Sequence, residues 1–331
     1  MDSSPVFLFR TNRTDWSYST EKPVPKGTGN EVLGRIALGC TANVPYPTPM
    51  SPIPVATRAN EMHTVVSKWR ESSAKIALVP TMGALHEGHM AHLSHARKRA
   101  ENVVVSIFVN PAQFAPKEDF DRYPRDLMSD ARKLYSAGGA DLIYAPSTNE
   151  IYPEGVVSKP VVDGPAASLE SDFRPHFFGG VVAVVEKLFR QVEPDFATFG
   201  EKDYQQLLVV KRLARQLDMN VEILAVPIVR ESDGLALSSR NAYLSAEERK
   251  IAPALFYALQ DVAARIRSGH EIAQAEAEGN AALLTAGFDR VDYCAVRDAQ
   301  TLRPIREFTA PSRVLGAAWL GKTRLIDNIA V

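Results

Sequence analysis

The stretch Ile76-Ala77-Leu78-Val79-Pro80-Thr81-Met82-Gly83-Ala84-Leu85-His86-Glu87-Gly88-His89-Met90 decides how the rest of the chain reads. It opens as a short apolar run stopped by Pro80, the pattern of a buried strand. From Met90 to about Arg99, Leu93, Ala96 and Ala100 recur at helical spacing, so a helix follows. Between strand and helix lies a turn of small residues with two histidines around Gly88. A strand end, a glycine turn and a helix N-terminus gather backbone N–H groups and the positive end of the helix, and anions bind at such points. A glycine-rich turn alone is weak evidence; His-x-Gly-His directly after a strand is more specific. A neutral imidazole donates one hydrogen bond and a charged one two, which suits phosphate oxygens whose charge grows as a phosphoanhydride breaks. Gly88 leaves the backbone free to approach a ligand.

Outward from this stretch, the same rhythm continues. Met62, Val65, Val66 and Trp69 mark a helix before it. Apolar runs at 103–109, 141–145, 156–162, 196–199 and 221–229 read as strands, and helical spacing at 127–135, 181–192 and 207–217 separates most of them. Strands alternating with helices give a parallel sheet covered on both faces, with ligands outside the carboxyl ends of its strands. After Arg230 the pattern changes. Ser245-Ala246-Glu247-Glu248 is a capping box that opens a helix to about Arg267, which Pro253 would kink or delay. A second helix runs to Gly287, and 291–296, 313–319 and 325–329 read as three strands of a smaller α+β domain.

With 331 residues the chain has room for two cores, and 45% hydrophobic with 23% charged residues is ordinary for a globular protein. A net charge of −1 argues against a nucleic-acid-binding surface as its main business. Cys40 and Cys294 suggest no disulfide framework, and no apolar stretch has the length of a membrane span, so a reducing cytoplasmic setting is expected. Residues 1–53 are rich in proline and lack periodicity. They read as a mostly disordered extension, with Met50 an alternative first residue.

Three further stretches carry candidate chemistry. Phe108-Val109-Asn110-Pro111-Ala112-Gln113-Phe114 puts two amides at the ligand edge of the sheet, although Asn110 and Gln113 could equally be turn formers. Phe199-Gly200-Glu201-Lys202-Asp203-Tyr204-Gln205-Gln206 repeats strand, glycine and amides, with Lys202 where strand becomes helix. Leu237-Ser238-Ser239-Arg240-Asn241 offers two hydroxyls and a guanidinium to phosphate oxygens. The histidines at 86, 89, 92 and 95 could suggest zinc, but their spacing drifts around a helix and no cysteine stands nearby. His86 and His89, at the helix N-terminus, fit phosphate contacts, and His92 and His95 fit a solvent-facing helix surface. There is no G-x-x-x-x-G-K-[ST] loop and no G-x-S-x-G turn.

His86-x-Gly88-His89 with Ser238-Ser239-Arg240 resembles the paired ATP motifs of the HxGH nucleotidyltransferases. Together with Tyr123-Pro124-Arg125, the amide and lysine stretches above, Ala318-Trp319-Leu320-Gly321 and Leu325-Ile326-Asp327-Asn328, the pattern from about residue 54 onward resembles the pantothenate synthetase family. That resemblance implies an α/β fold, a Rossmann-like parallel sheet with helices on both faces plus a small C-terminal α+β domain. It divides the chain into the extension, a nucleotide- and pantoate-binding domain at 54–229 and a lid at 230–331. It implies a homodimer that condenses pantoate with β-alanine, using ATP and Mg²⁺, through a pantoyl-adenylate. ATP would meet Met82, Gly83, Ala84, Leu85, His86, Glu87, Gly88 and His89. Gly200, Glu201, Lys202, Asp203, Val229, Leu237, Ser238, Ser239 and Arg240 would complete its site. His89, as an acid-like donor, with His86, Lys202 and Arg240 would form the catalytic set, and Gln113, Gln206 and Asn110 would hold substrate. The alternative is another transferase of the HxGH type, acting on a phosphorylated acceptor.

The chain departs from the family pattern in places. Arg174-Pro175-His176-Phe177-Phe178 stands for Arg-Pro-Gly-His-Phe, Ala115 for a glycine and His92 for a leucine. Ser129-Asp130 stands where two acids can occur, which leaves the Mg²⁺ ligands open.

Overall fold

The computed structural model describes residues 53–115, 118, 120–156, 164–308 and 310–331. The chain order begins β1 (Val55–Ala56), α1 (Ala59–Glu71), β2 (Ile76–Thr81), α2 (Glu87–Arg97), β3 (Asn102–Ile107), α3 (Leu127–Ala137), β4 (Leu142–Tyr144). It continues α4 (Thr148–Ile151), α5 (Glu170–Phe173), α6 (Phe177–Val192), β5 (Phe196–Gly200), α7 (Tyr204–Gln216), β6 (Glu222–Val226). These six strands pair in parallel in the order β1-β4-β3-β2-β5-β6.

Side chains on β2 show why the sheet is covered on both sides. Successive residues of a strand face opposite ways. Ile76 and Leu78 enter a core with α1, α6 and α7, while Ala77 and Val79 enter another with α2 and α3. Both sets are buried, so the strand reads as a continuous apolar run rather than an alternating one. β2 outlasts Pro80 by one residue, pairing Pro80 with Ser106 and Thr81 with Ile107.

The remaining chain forms α8 (Ala246–Ile251), α9 (Ala254–Arg267), α10 (Ile272–Ala286), β7 (Arg290–Asp298), β8 (Ser312–Leu320) and β9 (Thr323–Ala330). Its three strands are antiparallel in the order β7-β8-β9, and α9 and α10 pack against them around Leu259, Val262 and Val314. The helix expected from Ser245 to Arg267 is two helices, because Pro253 ends one and starts the next. α10 stops at Gly287, whose φ of 108° closes the helix in the left-handed region. A small apolar cluster of Leu169, Ala295, Leu302 and Leu315 with Tyr204 and Leu208 joins the two sheets.

Two expectations from sequence need adjusting. β6 ends at Val226, before Pro227, and β1 escaped notice because a two-residue strand has no periodicity. The strand expected at 156–162 lies, apart from Val156, outside the described residues, as does the N-terminal extension apart from Ile53.

Candidate active site

From β2 the chain steps to β3 and β4 on one side, and it later returns to β5 and β6 on the other. The connections leaving β2 and β5 therefore diverge and leave a crevice beyond their carboxyl ends, where open α/β sheets bind ligands. A cleft of about 1210 Å³ lies there. Met82, His86, Gly88, His89, Gly200, Lys202 and Asp203 line it, and so do Val229, Leu237, Ser238, Ser239 and Arg240. Gln113 and Gln206 line it too. Among the residues assigned to ATP from sequence, Gly83, Ala84, Leu85, Glu87 and Glu201 do not reach it; Leu85 is a core residue and Glu87 faces solvent.

The turn after β2 is held from outside itself. Gly83 and Ala84 both have positive φ, 84° and 51°, which is costly for the alanine. Asp130 on α3, 2% exposed, accepts from Ala84 N at 2.9 Å and from Leu85 N at 2.8 Å. Lys133, one helical turn on, donates to Leu85 O at 2.7 Å. This pair of anchors fixes the direction in which α2 begins.

His86 caps α2, and its Nδ1 accepts from Gly88 N at 3.1 Å. His89 Nδ1 accepts from His86 N at 3.2 Å, and the ring centroids stand 4.2 Å apart. Both Nδ1 atoms are acceptors, so in each neutral ring the proton resides on Nε2. Burial, and then the Lys202 and Lys133 charges, pull His86 down to about 4. Burial, then His86 and His92, hold His89 well below the usual imidazole range. The two rings are neutral donors at pH 7. Gly88 has a local reason as well: a Cβ there would sit 2.8 Å from His86 Cε1, so glycine makes room for the capping ring.

The expectation that His92 faces solvent is not met, while His95 is partly exposed. His92 lines the cleft, lies 3.1 Å through Nδ1 from Thr198 Oγ1, and is pulled by burial to about 4. A Cβ on Gly200 would sit 3.1 Å from His92 Nε2, so the ring packs against the β5 turn. His95 Nδ1 donates to Ala91 O at 2.9 Å.

Asn110 and Gln113 divide their work. Asn110 is 1% exposed and does not line the cleft. Its Nδ2 donates to Gln113 Oε1 at 2.9 Å and Gly180 O at 3.0 Å, while Oδ1 accepts from Ala112 N at 3.2 Å and Tyr152 OH at 2.9 Å. All four positions on this amide are used, so Asn110 orients Gln113 rather than touching substrate. Gln113 keeps its NH₂ group for the cleft. Gln205 also lines the cleft, but its amide is consumed by Glu170 N, Pro165 O and Ser168 O, which leaves Gln206 as the amide of α7 available to a ligand there.

The Ser238–Arg240 loop enters from the far wall. Ser238 Oγ accepts from Arg240 N at 3.3 Å, and Ser239 Oγ lies 3.1 Å from Tyr123 OH. His86, His89, Lys202 and Arg240, spread through the sequence, thus share one cleft with Gln113 and Gln206.

A sequence model of the family described as pantoate-beta-alanine ligase matches residues 54–330. The chain belongs to that family. A pantothenate synthetase of Bradyrhizobium sp. strain BTAi1 is 53% identical over 279 residues, covering 84% of this chain and 98% of the relative. The pantothenate synthetase crystal structure from Thermus thermophilus is 45% identical, with a TM-score of 0.78, over 84% of this chain and 99% of that one. A pantoate-beta-alanine ligase of Francisella tularensis, complexed with beta-gamma ATP and beta-alanine, is 32% identical with a TM-score of 0.71, over 84% of this chain and 97% of its own. The activity is accordingly the ATP-dependent joining of pantoate to β-alanine, within pantothenate biosynthesis.

Lys133 and Thr198, which help build this ligase cleft, gave no signal in the sequence, while Asp130 and Asn328 stood in noted stretches with their partners undisclosed. All four act on segments distant in the chain, and only the fold brings them together. No group of three or more His, Cys, Asp or Glu residues able to hold a metal occurs among the described residues. Asp130, the one acid at the open Ser129-Asp130 position, has its two oxygens on backbone N–H groups. Among the described residues, the side chains do not form a protein-held Mg²⁺ site.

Proposed function

We propose that this cleft makes pantothenate in two steps, with pantoyl-adenylate between them. A pantoate carboxylate oxygen attacks the α-phosphorus of ATP. The bond to pyrophosphate breaks, and that group leaves with the electron pair. No protein nucleophile is required, so positioning and charge stabilisation carry the rate. Nε2–H of His86 and of His89, the Lys202 ammonium and the Arg240 guanidinium meet the charge that builds on the leaving oxygens. Because the imidazoles are neutral, their part is hydrogen-bond donation rather than proton transfer, which refines the acid-like role expected for His89. The β-alanine amine then attacks the acyl carbon, the amide forms, AMP departs, and the amine loses a proton.

Gln113, oriented by Asn110, and Gln206 are the proposed pantoate ligands, with Gln113 also meeting β-alanine. Neutral amides suit a hydroxy-acid better than a phosphorylated acceptor, which favours this reading over another nucleotidyltransferase. Residues 54–229 would bind the nucleotide and pantoate, and 230–331 would act as the lid that keeps water from the adenylate. A cytoplasmic homodimer remains the family expectation. Mg²⁺ would enter with ATP, held by phosphate oxygens and water.

The observation that carries this reading is the convergence of His89, Lys202, Arg240 and Gln113 on one cleft. Its test is pyrophosphate release by the purified chain. Release should require pantoate, and AMP formation should then require β-alanine. Equal release with unrelated carboxylates would sink the assignment of substrate roles.

A further inference from the structure

Two consecutive residues of β9, Asp327 and Asn328, each hold one of the two loops that bring a cation to the cleft. Asn328 is 2% exposed, and its Nδ2 donates to Glu201 O at 2.8 Å and to Lys202 O at 3.0 Å. Its Oδ1 accepts from Arg313 Nη1, whose guanidinium lies 3.7 Å from the Tyr204 ring centroid at the start of α7. The carbonyl of Lys202 is thereby tied to the antiparallel sheet rather than to its own.

Asp327 is 4% exposed and takes Arg230 in a two-pronged pair at 2.6 and 2.8 Å. Arg230 also donates to Gly234 O at 3.0 Å and bridges to Ala236, while Leu237 N donates to Val229 O at 2.9 Å. These bonds close the base of the loop that carries Ser238–Arg240. Neighbouring residues on a strand face opposite ways, so one dipeptide can grip a loop on each side of the sheet.

We propose that Asp327 and Asn328 are positioning residues for adenylate formation, setting the separation of Lys202 and Arg240 across the triphosphate. The inference rests on the reading of those two cations as phosphate ligands. It gives the C-terminal sheet a task beyond covering the cleft: movement of β9 carries both cations with it. The two cations matter while pyrophosphate leaves and not while the amine attacks, so the two half-reactions separate this role from a general one.

The test uses the full chain and two shape-preserving variants, Asn328→Asp and Asp327→Asn. Pantoate-dependent ATP–pyrophosphate exchange should fall by about 10²-fold in kcat, the loss expected from a misplacement of about 1 Å. Conversion of preformed pantoyl-adenylate by β-alanine should stay within about threefold of the parent, and circular dichroism should confirm a folded chain. Asn328→Asp should add little to the loss already caused by Lys202→Ala, and Asp327→Asn little to that of Arg240→Ala, because residues acting as a unit are not additive. Undiminished exchange in both β9 variants, equal loss in both half-reactions, or losses that multiply would overturn the proposal alone. Undiminished exchange in Lys202→Ala and Arg240→Ala would overturn it together with the reading beneath it.

Discussion

His86 N donates to Nδ1 of His89 at 3.2 Å, so the backbone of one histidine selects the tautomer of the other. In the proposed reaction, the N–H this leaves at His89 Nε2 is the hydrogen-bond donor to the leaving pyrophosphate. His89→Ala should lower pantoate-dependent exchange by about 10²–10³-fold, the usual consequence of losing one preorganised donor. ATP affinity, measured by calorimetry, should change far less, because the bond strengthens only as charge develops. An affinity loss as large as the rate loss would show that His89 binds the ground state instead.

The pH dependence of stability follows from the same rings. His86 and His92 stand at about 4 in the folded chain, against roughly 6.5 when unfolded. Between these values the unfolded chain takes up protons that the native state refuses. Stability from this source is therefore complete above about pH 6.5 and falls as the pH drops toward 4. His92→Leu removes one such group. Urea unfolding at pH 7.5 and pH 5 should show a smaller acid-side loss for the variant than for the parent. Equal losses would mean that His92 is not held neutral.

The contrast between Gly88 and Asp130 shows how far the sequence could be read. Alternating apolar runs and helices disclosed the parallel sheet, because a doubly covered strand such as β2 must be apolar throughout. Motifs at strand ends disclosed the cleft, because the fold obliges those ends to meet. Why each motif residue is there was less accessible. Gly88 looked like a place for a ligand; it lines the cleft and also makes room for His86, while Asn110, read as a ligand or a turn former, is consumed by Gln113, Gly180, Ala112 and Tyr152. Asp130, on a distant helix, looked like an open metal question and is the anchor of the Ala84 turn. Such meanings depend on contacts across the sheet that no local spacing records.

Asp130→Ala should leave the N–H groups of Ala84 and Leu85 without their carboxylate. Hydrogen bonds to a charged group contribute about 1.5–3 kcal/mol, and the variant should lose stability on that scale. Because the turn also sets the start of α2, the KM for ATP should rise while that for β-alanine stays near the parent value. Denaturant unfolding together with steady-state kinetics would check both. A destabilised variant with parental KM values would confine Asp130 to a structural role.

Gly180→Ala sets a helical preference against a contact. Within α6, alanine is favoured over glycine by up to about 1 kcal/mol. Here, however, the added Cβ would sit 2.1 Å from Ala112 O, which is backbone and cannot swing aside. The turn Pro111–Gln113 must shift, and with it the bond from Asn110 Nδ2 to Gly180 O. Gln113 then loses its orientation, so the KM for pantoate should rise about tenfold while ATP affinity stays near that of the parent. Gly279→Ala is the matched control, since the nearest atoms to its Cβ would belong to the side chains of Val262 and Cys294 beside α10. That variant should lose stability without any change in the KM for pantoate. If both variants shift pantoate KM alike, the effect is global, and the Gly180 contact does not position Gln113.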